Sequence, residues 1–106
     1  MDIVDWRKKI DEMDRKLVEL LNERAQAACE IGRLKRNTSM PIYEPQREKT
    51  IFENVCRFNR GPLPDAELRQ VFERIIDVMR NIQKNEIAPK NEAGGKSTEF
   101  DMELND

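Results

Sequence analysis

Residues 3–35 read IVDWRKKIDEMDRKLVELLNERAQAACEIGRLK, and their apolar side chains repeat at helical spacing. The repeat alternates steps of three and four residues, which is a heptad seam without a slip. The seam positions are Ile3, Trp6, Ile10, Met13, Leu17, Leu20, Arg24, Ala27, Ile31 and Leu34. The pattern predicts one long helix, with Asp2 as its N-terminal cap and Gly32 as a close-packing point inside it.

Two shorter helices are predicted after the long one. Pro45 suits the first turn of a helix that ends at about Phe58, and Asp65 opens another that runs to about Ile87. A helix of about 33 residues is about 50 Å long at 1.5 Å per residue, so the shorter helices cannot cover the whole seam. A second copy of the chain would cover the rest. We therefore predict an all-α fold of one long and two shorter helices that forms an intertwined homodimer.

The composition changes after residue 87. Residues 88–106 are rich in Gly, Ser, Thr and acids, and five acids against two lysines give them a net charge of −3. Because the whole chain carries −2, residues 1–87 carry +1. We predict a helical domain over residues 1–87 and an acidic, disordered tail over residues 88–106.

Several classes of protein are disfavoured by composition. The chain has no histidine, which excludes Ser-His and Cys-His machinery and removes the commonest metal ligand. No carboxylate spacing indicates a metal, so we predict no metal. The charge of −2 argues against a general nucleic-acid binder. We expect no membrane span and no signal peptide, and hence a cytoplasmic protein with Cys29 and Cys56 as free, buried thiols.

Charged residues interrupt the apolar pattern of the long helix. Arg24 stands in the middle of the seam, where a guanidinium is unfavourable unless an anion meets it. That anion is either a ligand or a core carboxylate, unless the side chain extends to the surface. Lys35 lies about three turns later on the same face, although a cation near a helix C-terminus is also favourable for structural reasons.

The two shorter helices add polar residues to the same set. Arg47 and Glu48 extend the apolar stripe of the second helix inward. The acid Glu48 is favourable near a helix N-terminus, whereas the cation Arg47 is not and needs an anion. Gln83 follows Ile76 and Met79 at helical spacing and needs a hydrogen-bond partner, in a ligand or in a neighbouring backbone. Arginine forks match carboxylates, so the set indicates a site for a small dicarboxylate.

Arg7 lies about 25 Å along the helix from Arg24, too far to serve the same small site in one chain. If two long helices pair antiparallel, Arg7 of one chain reaches the site of the other. The alternative is a surface charge within Arg7-Lys8-Lys9.

Together these residues resemble the all-helical (type II) chorismate mutases, over about residues 3–87. The segments that carry the resemblance are Trp6-Arg7-Lys8-Lys9-Ile10-Asp11, Leu20-Leu21-Asn22-Glu23-Arg24, Ile31-Gly32-Arg33-Leu34-Lys35, Pro41-Ile42-Tyr43-Glu44-Pro45-Gln46-Arg47-Glu48-Lys49, and Phe72-Glu73-Arg74-Ile75-Ile76 with Gln83. The resemblance implies an isomerase of aromatic amino acid biosynthesis in the shikimate pathway. It would convert chorismate to prephenate by a cofactor-free Claisen rearrangement, in a homodimer with two sites at the interface.

The resemblance also implies residue roles. Arg24 and Arg47 would bind the substrate carboxylates, together with Arg7 from the partner chain. Lys35 and Gln83 would bind the ether oxygen, where negative charge grows as the C–O bond breaks. The acceleration would come from a selected conformation and preorganised charge.

Three further residues belong to the expected site. Glu48 would accept the ring hydroxyl, and with Lys35, Gln83 and Arg47 it completes the expected catalytic set. Glu44 stands where the family often has Asp, and Met79 stands where a small polar residue is frequent.

Other functions remain open at the level of sequence. An isochorismate-pyruvate lyase on the same fold would use much the same cations, although an acid directly after Arg47 favours the mutase by resemblance. A regulatory or inactive homologue is another possibility. A non-catalytic helical dimerisation module, with Arg24 paired to a glutamate, would bind no small molecule.

Overall fold

The structure is a computed structural model that describes residues 1–87. These residues form three helices, α1 Ile3–Arg36, α2 Pro45–Phe58 and α3 Asp65–Ile87, and no strand. The bounds confirm the predicted helices and the all-α fold class. The predicted tail, 88–106, lies outside the described residues. Within residues 1–87, no helix has the length and apolar character needed to cross a membrane.

Side chains fix the beginning of α1, as the sequence predicts. The Asp2 carboxylate accepts from the backbone N–H of Asp5 at 3.0 Å, and the Asp5 carboxylate accepts from the backbone N–H of Asp2 at 3.2 Å. This reciprocal pair satisfies N–H groups that have no partner in the first turn. In α2, Pro45 occupies the first turn directly after Glu44, where its missing N–H costs nothing.

The helices α1 and α3 pack closely and run in the same direction. A Cβ atom placed on Gly32 would lie 3.0 Å from Glu86 Cβ and 3.1 Å from Gln83 Cα, so any larger residue would require α3 to shift. One turn later Arg36 Nε donates to the backbone carbonyl of Glu86 at 2.9 Å. The predicted close-packing role of Gly32 is confirmed. The helix α2 packs on α3.

The seam of α1 is exposed in the single chain. Trp6 is 55% exposed, Leu17 54% and Leu34 73%. The buried residues of α1 are instead Ala28, Gly32 and Lys35, each one position after a seam residue. One position is about 100° around a helix. The chain therefore covers the face beside the seam and leaves the apolar residues of the seam uncovered.

The apolar core of the single chain is small. Among residues 1–87 only Ala28, Ile76 and Met79 are buried apolar residues. Cys29 and Cys56 are free, as predicted, but they are half-buried, so the predicted burial of the thiols is wrong. A helix pair and a short third helix do not enclose enough volume to bury these side chains fully.

Candidate active site

A cavity of about 410 Å³ opens among the C-terminal half of α1, the segment before α2, the first turns of α2 and the C-terminal half of α3. Its volume suits a small ligand. The lining residues are Arg24, Ala28, Ile31, Ile42, Glu44, Arg47, Glu48, Ile51, Ile76, Met79, Arg80 and Gln83.

Most of the residues singled out from the sequence meet at this cavity. Those that line it are Arg24, Glu44, Arg47, Glu48, Met79 and Gln83. Lys35 is not itself among the lining residues, but its Nζ contacts two of them, Glu44 and Gln83. Arg7 lies on the exposed N-terminal half of α1 and is not part of the cavity within one chain.

Lys35 is a buried ammonium that joins three segments of the chain. It is 4% exposed, and its Nζ donates to Glu44 Oε2 at 2.8 Å and to Gln83 Oε1 at 3.0 Å. A buried cation of this kind requires such partners. Lys35 is therefore not the surface cation that its place near the end of α1 also permits.

The amide of Gln83 is oriented by this contact. Its Oε1 accepts from Lys35, so its Nε2 keeps two hydrogens for other acceptors. The partner is a side chain and not the neighbouring backbone that the sequence left open. Met79, one turn earlier on the same stripe, is buried and forms apolar wall beside it.

Arg24 and Arg47 carry charge that no carboxylate of residues 1–87 neutralises. No salt bridge involves either guanidinium in this part of the chain. Burial, and then the positive charge of Arg47, lower the pKa of Arg24. Arg24 is half-buried, whereas Arg47 is exposed and so less inward than predicted. Two unneutralised cations beside one cavity form a site for an anion.

Arg80 was missed by the sequence reasoning. Its Nη2 donates to Glu48 Oε2 at 2.6 Å, and its guanidinium lies 5.1 Å from the centre of the Tyr43 ring. The hydrogen bond to Glu48 raises the pKa of Arg80 against the opposing effect of burial. The signal was available, because Arg80 lies four residues after Ile76 and three before Gln83, on one helical face.

The charges of the site divide into pairs and a remainder. Lys35 is neutralised by Glu44, and Arg80 by Glu48. Arg24 and Arg47 remain, so the site carries a net charge of +2. No group of three or more Cys, Asp or Glu side chains within residues 1–87 is arranged to hold a metal ion. The arrangement suits a dianion with two separated carboxylates.

Comparisons with known proteins agree on one family. The sequence model of chorismate mutase type II matches residues 6–84. The chain is 36% identical over 87 residues to the bifunctional chorismate mutase/prephenate dehydratase of Aquifex aeolicus, which covers 78% of this chain and 24% of that protein. It is 30% identical over 83 residues to the chorismate mutase of Methanocaldococcus jannaschii, which covers 77% of this chain and 84% of that protein. The chain thus spans about a quarter of the length of the bifunctional relative.

Solved structures give the same result. A chorismate mutase structure from Thermus thermophilus (form II) matches with a TM-score of 0.75 and 33% identity, over 77% of this chain and 93% of that chain. The chorismate mutase of Helicobacter pylori, solved in complex with prephenate, matches with a TM-score of 0.73 and 27% identity, over 80% and 92% of the two chains.

Proposed function

Because the chain belongs to the type II chorismate mutase family, we propose that it is a chorismate mutase, which rearranges chorismate to prephenate for phenylalanine and tyrosine biosynthesis. The observation that carries the proposal is the pair Arg24 and Arg47, which face one cavity without a neutralising carboxylate in residues 1–87. Chorismate carries two carboxylates, which match the net charge of +2.

Arg24 and Arg47 each take one carboxylate of the substrate. Bidentate contacts to two separated carboxylates fix their relative position, and so hold the substrate in the compact conformer in which the reacting carbons meet. Choosing one conformer in advance removes part of the entropic barrier. The carboxylates of Glu44 and Glu48 neutralise the other two cations, so those do not compete for the substrate.

Lys35 and Gln83 stabilise the transition state at the ether oxygen. In the rearrangement the C–O ether bond breaks while a C–C bond forms, and no atom or proton leaves the substrate. Negative charge grows on the ether oxygen as its bond to carbon lengthens. Lys35 has a third N–H beyond those given to Glu44 and Gln83, and Gln83 Nε2 has two. Donors already oriented toward developing charge are the main source of such catalysis.

Glu48 accepts the ring hydroxyl of the substrate, and Met79 supplies apolar wall. Both line the cavity. Glu44 is one methylene longer than the Asp frequent in the family, and its role here is to hold the Lys35 ammonium at 2.8 Å.

The functional unit in this proposal is a homodimer that pairs through the seam. Arg24 and Ile31 belong both to the seam and to the cavity wall, so a partner helix lying on the seam also closes the cavity. Arg7 is the cation that such a helix brings to the site of the other chain. Two free thiols fit a reducing compartment, and we assign the enzyme to the cytoplasm.

The test is the reaction itself. The full chain is incubated with chorismate, the loss of its ultraviolet absorbance is followed, and prephenate is identified by acid conversion to phenylpyruvate. Saturable formation of prephenate is expected. Isochorismate is assayed in parallel, and pyruvate released from it as the main activity would replace the mutase by the lyase. Absence of turnover and of calorimetric binding with both compounds would leave a helical dimerisation module.

A further inference from the structure

The Arg80–Glu48 ion pair links α3 to the first turn of α2 at the cavity. Arg80 lines the cavity, yet the family resemblance assigns it no role. We propose that Arg80 is a positioning residue that fixes the Glu48 carboxylate for the substrate's ring hydroxyl. This inference rests on the proposed function, in which Glu48 accepts that hydroxyl.

The contact is strong enough to determine where Glu48 points. The distance of 2.6 Å from Nη2 to Oε2 is short for a charge-assisted hydrogen bond. Both side chains are mostly covered, with 29% of Arg80 and 20% of Glu48 exposed, so water screens the pair less than at an open surface. Arg80 is also the only hydrogen-bond partner of the Glu48 carboxylate within residues 1–87. Without it, the carboxylate can rotate about three side-chain bonds.

Arg80 is itself held in place. Its Nη1 donates to Asp77 Oδ1 at 3.3 Å, one turn back on α3, and its guanidinium lies over the Tyr43 ring. Its Nε is buried without a partner in this part of the chain. An unmade bond of this kind is unfavourable, so the contacts that hold the guanidinium are those of Nη1 and Nη2. Since Tyr43 precedes Glu44, Arg80 also restrains the segment that carries the partner of Lys35.

The charge pattern separates Arg80 from the substrate-binding cations. Within residues 1–87, Arg24 and Arg47 form no ion pair, whereas Arg80 pairs with Glu48 and Asp77. A guanidinium already neutralised by two acids has little charge left for a substrate carboxylate. Arg80 therefore acts through Glu48 and does not bind the dianion itself.

The test compares Arg80→Gln, Arg80→Lys and a matched control, Arg69→Gln. Arg69 is also on α3, pairs with Glu73 and lies over the Phe52 ring at 4.5 Å, so it has the same kinds of contact away from the cavity. We expect kcat/KM for chorismate to fall about 10-fold to 100-fold in Arg80→Gln, as for other misplaced catalytic groups. Arg80→Lys keeps the charge and recovers part of the loss, and Arg69→Gln leaves kcat/KM unchanged.

A double-mutant cycle with Glu48→Gln shows whether Arg80 acts through Glu48. In the Glu48→Gln background, Arg80→Gln should lower kcat/KM by less than about 3-fold, because the group that it positions is gone. A full additional loss would mean that Arg80 binds substrate directly and would overturn the inference. Thermal unfolding of each variant separates loss of activity from loss of fold.

Crystal structures of the wild type and Arg80→Gln give a readout that needs no activity. The Glu48 carboxylate should turn away from its position, or lose its density, in the variant. An unmoved carboxylate overturns the inference even if the activity has fallen. If the wild-type protein does not turn over chorismate, the proposed function itself is wrong. If Arg80→Gln keeps wild-type activity, only this inference is wrong.

Discussion

The Lys35 ammonium lies 3.0 Å from Gln83 Oε1 and so ties the last turn of α1 to the end of α3. The spacing depends on Gly32, three residues earlier, which lets the α3 backbone approach to a distance that a side chain would block. Both donors proposed for the ether oxygen therefore stand on packed helices, and Glu44 of the connecting segment adds a further contact to Lys35. Sites built on packed helices hold their geometry more precisely than sites on loops.

Replacing Lys35 by Met removes the buried donor while keeping an unbranched side chain that is shorter by one atom. We expect kcat to fall about 10²-fold to 10³-fold, the loss typical of one preorganised donor, with the helical circular dichroism retained. Lys84→Met is the matched control, because Lys84 is an exposed lysine of α3 next to Gln83. Near wild-type turnover in Lys35→Met would show that Lys35 only supports the fold.

The substitution Gly32→Ala tests the close contact of α1 and α3. Alanine favours the helix by about 1 kcal/mol, but its Cβ would lie 3.1 Å from the Gln83 Cα, and backbone cannot rotate aside. Overpacking typically costs about 1–3 kcal/mol, so we expect a lower free energy of unfolding and reduced kcat. Denaturant titration and the chorismate assay measure both. A more stable variant with full activity would show that α3 shifts freely.

Arg24→Leu should trade activity for stability. The pKa of Arg24 is lowered by burial and by Arg47, which means that folding disfavours the protonated guanidinium. The group is protonated at neutral pH in both states, so the folded protein carries this penalty throughout the ordinary pH range. Because Arg24 is only half-buried, water screens much of this penalty. We expect the ligand-free variant to gain at most about 1 kcal/mol and to lose chorismate turnover.

The control for this exchange is Arg15→Leu, an exposed arginine of α1 outside the seam. It should change neither thermal stability nor turnover appreciably. Wild-type activity in Arg24→Leu would exclude Arg24 from substrate binding.

Mixing two inactive variants tests whether Arg7 serves the partner's site. Each site would use Arg24 of one chain and Arg7 of the other. A heterodimer of Arg7→Ala with Arg24→Ala therefore contains one site with both arginines and one site with neither. Co-refolding equal amounts should restore about one quarter of wild-type activity, because half of the dimers are mixed and each has one working site of two. Activity no greater than the sum of the separate variants would show that Arg7 does not cross to the other chain.

Alkaline pH should weaken the fold through Cys29. Burial, followed by the charge of Glu86, raises the pKa of the Cys29 thiol. The unfolded chain therefore loses this proton at lower pH than the folded chain, and stability falls as the pH rises above the ordinary thiol pKa. The free energy of unfolding, measured from pH 7 to 10, should decline less steeply in Cys29→Ala than in the wild type. If the free energy of unfolding falls with pH equally in both proteins, Cys29 does not contribute to the pH dependence.

Periodicity and caps were enough to place the helices. The seam of α1, the Asp2 cap and Pro45 mark where elements begin, and each reflects a local property of the backbone. The apolar stripes of α2 and α3 also predict that Glu48 and Gln83 face inward, and both residues line the cavity. Periodicity does not predict how one helix is rotated and shifted along its axis relative to another. For that reason the burial of Lys35 and the pairing of Arg80 with Glu48 emerged only from the structure.

Only three apolar side chains are buried within residues 1–87. The stability of the protein should therefore depend on its concentration. In the proposed dimer most of the apolar burial of α1 comes with the second copy, so the thermal midpoint rises with protein concentration. A lower concentration then reduces not only the number of chains but also the fraction that is assembled. The catalytic output of a dilute solution of this protein should therefore fall more steeply than the amount of protein in it.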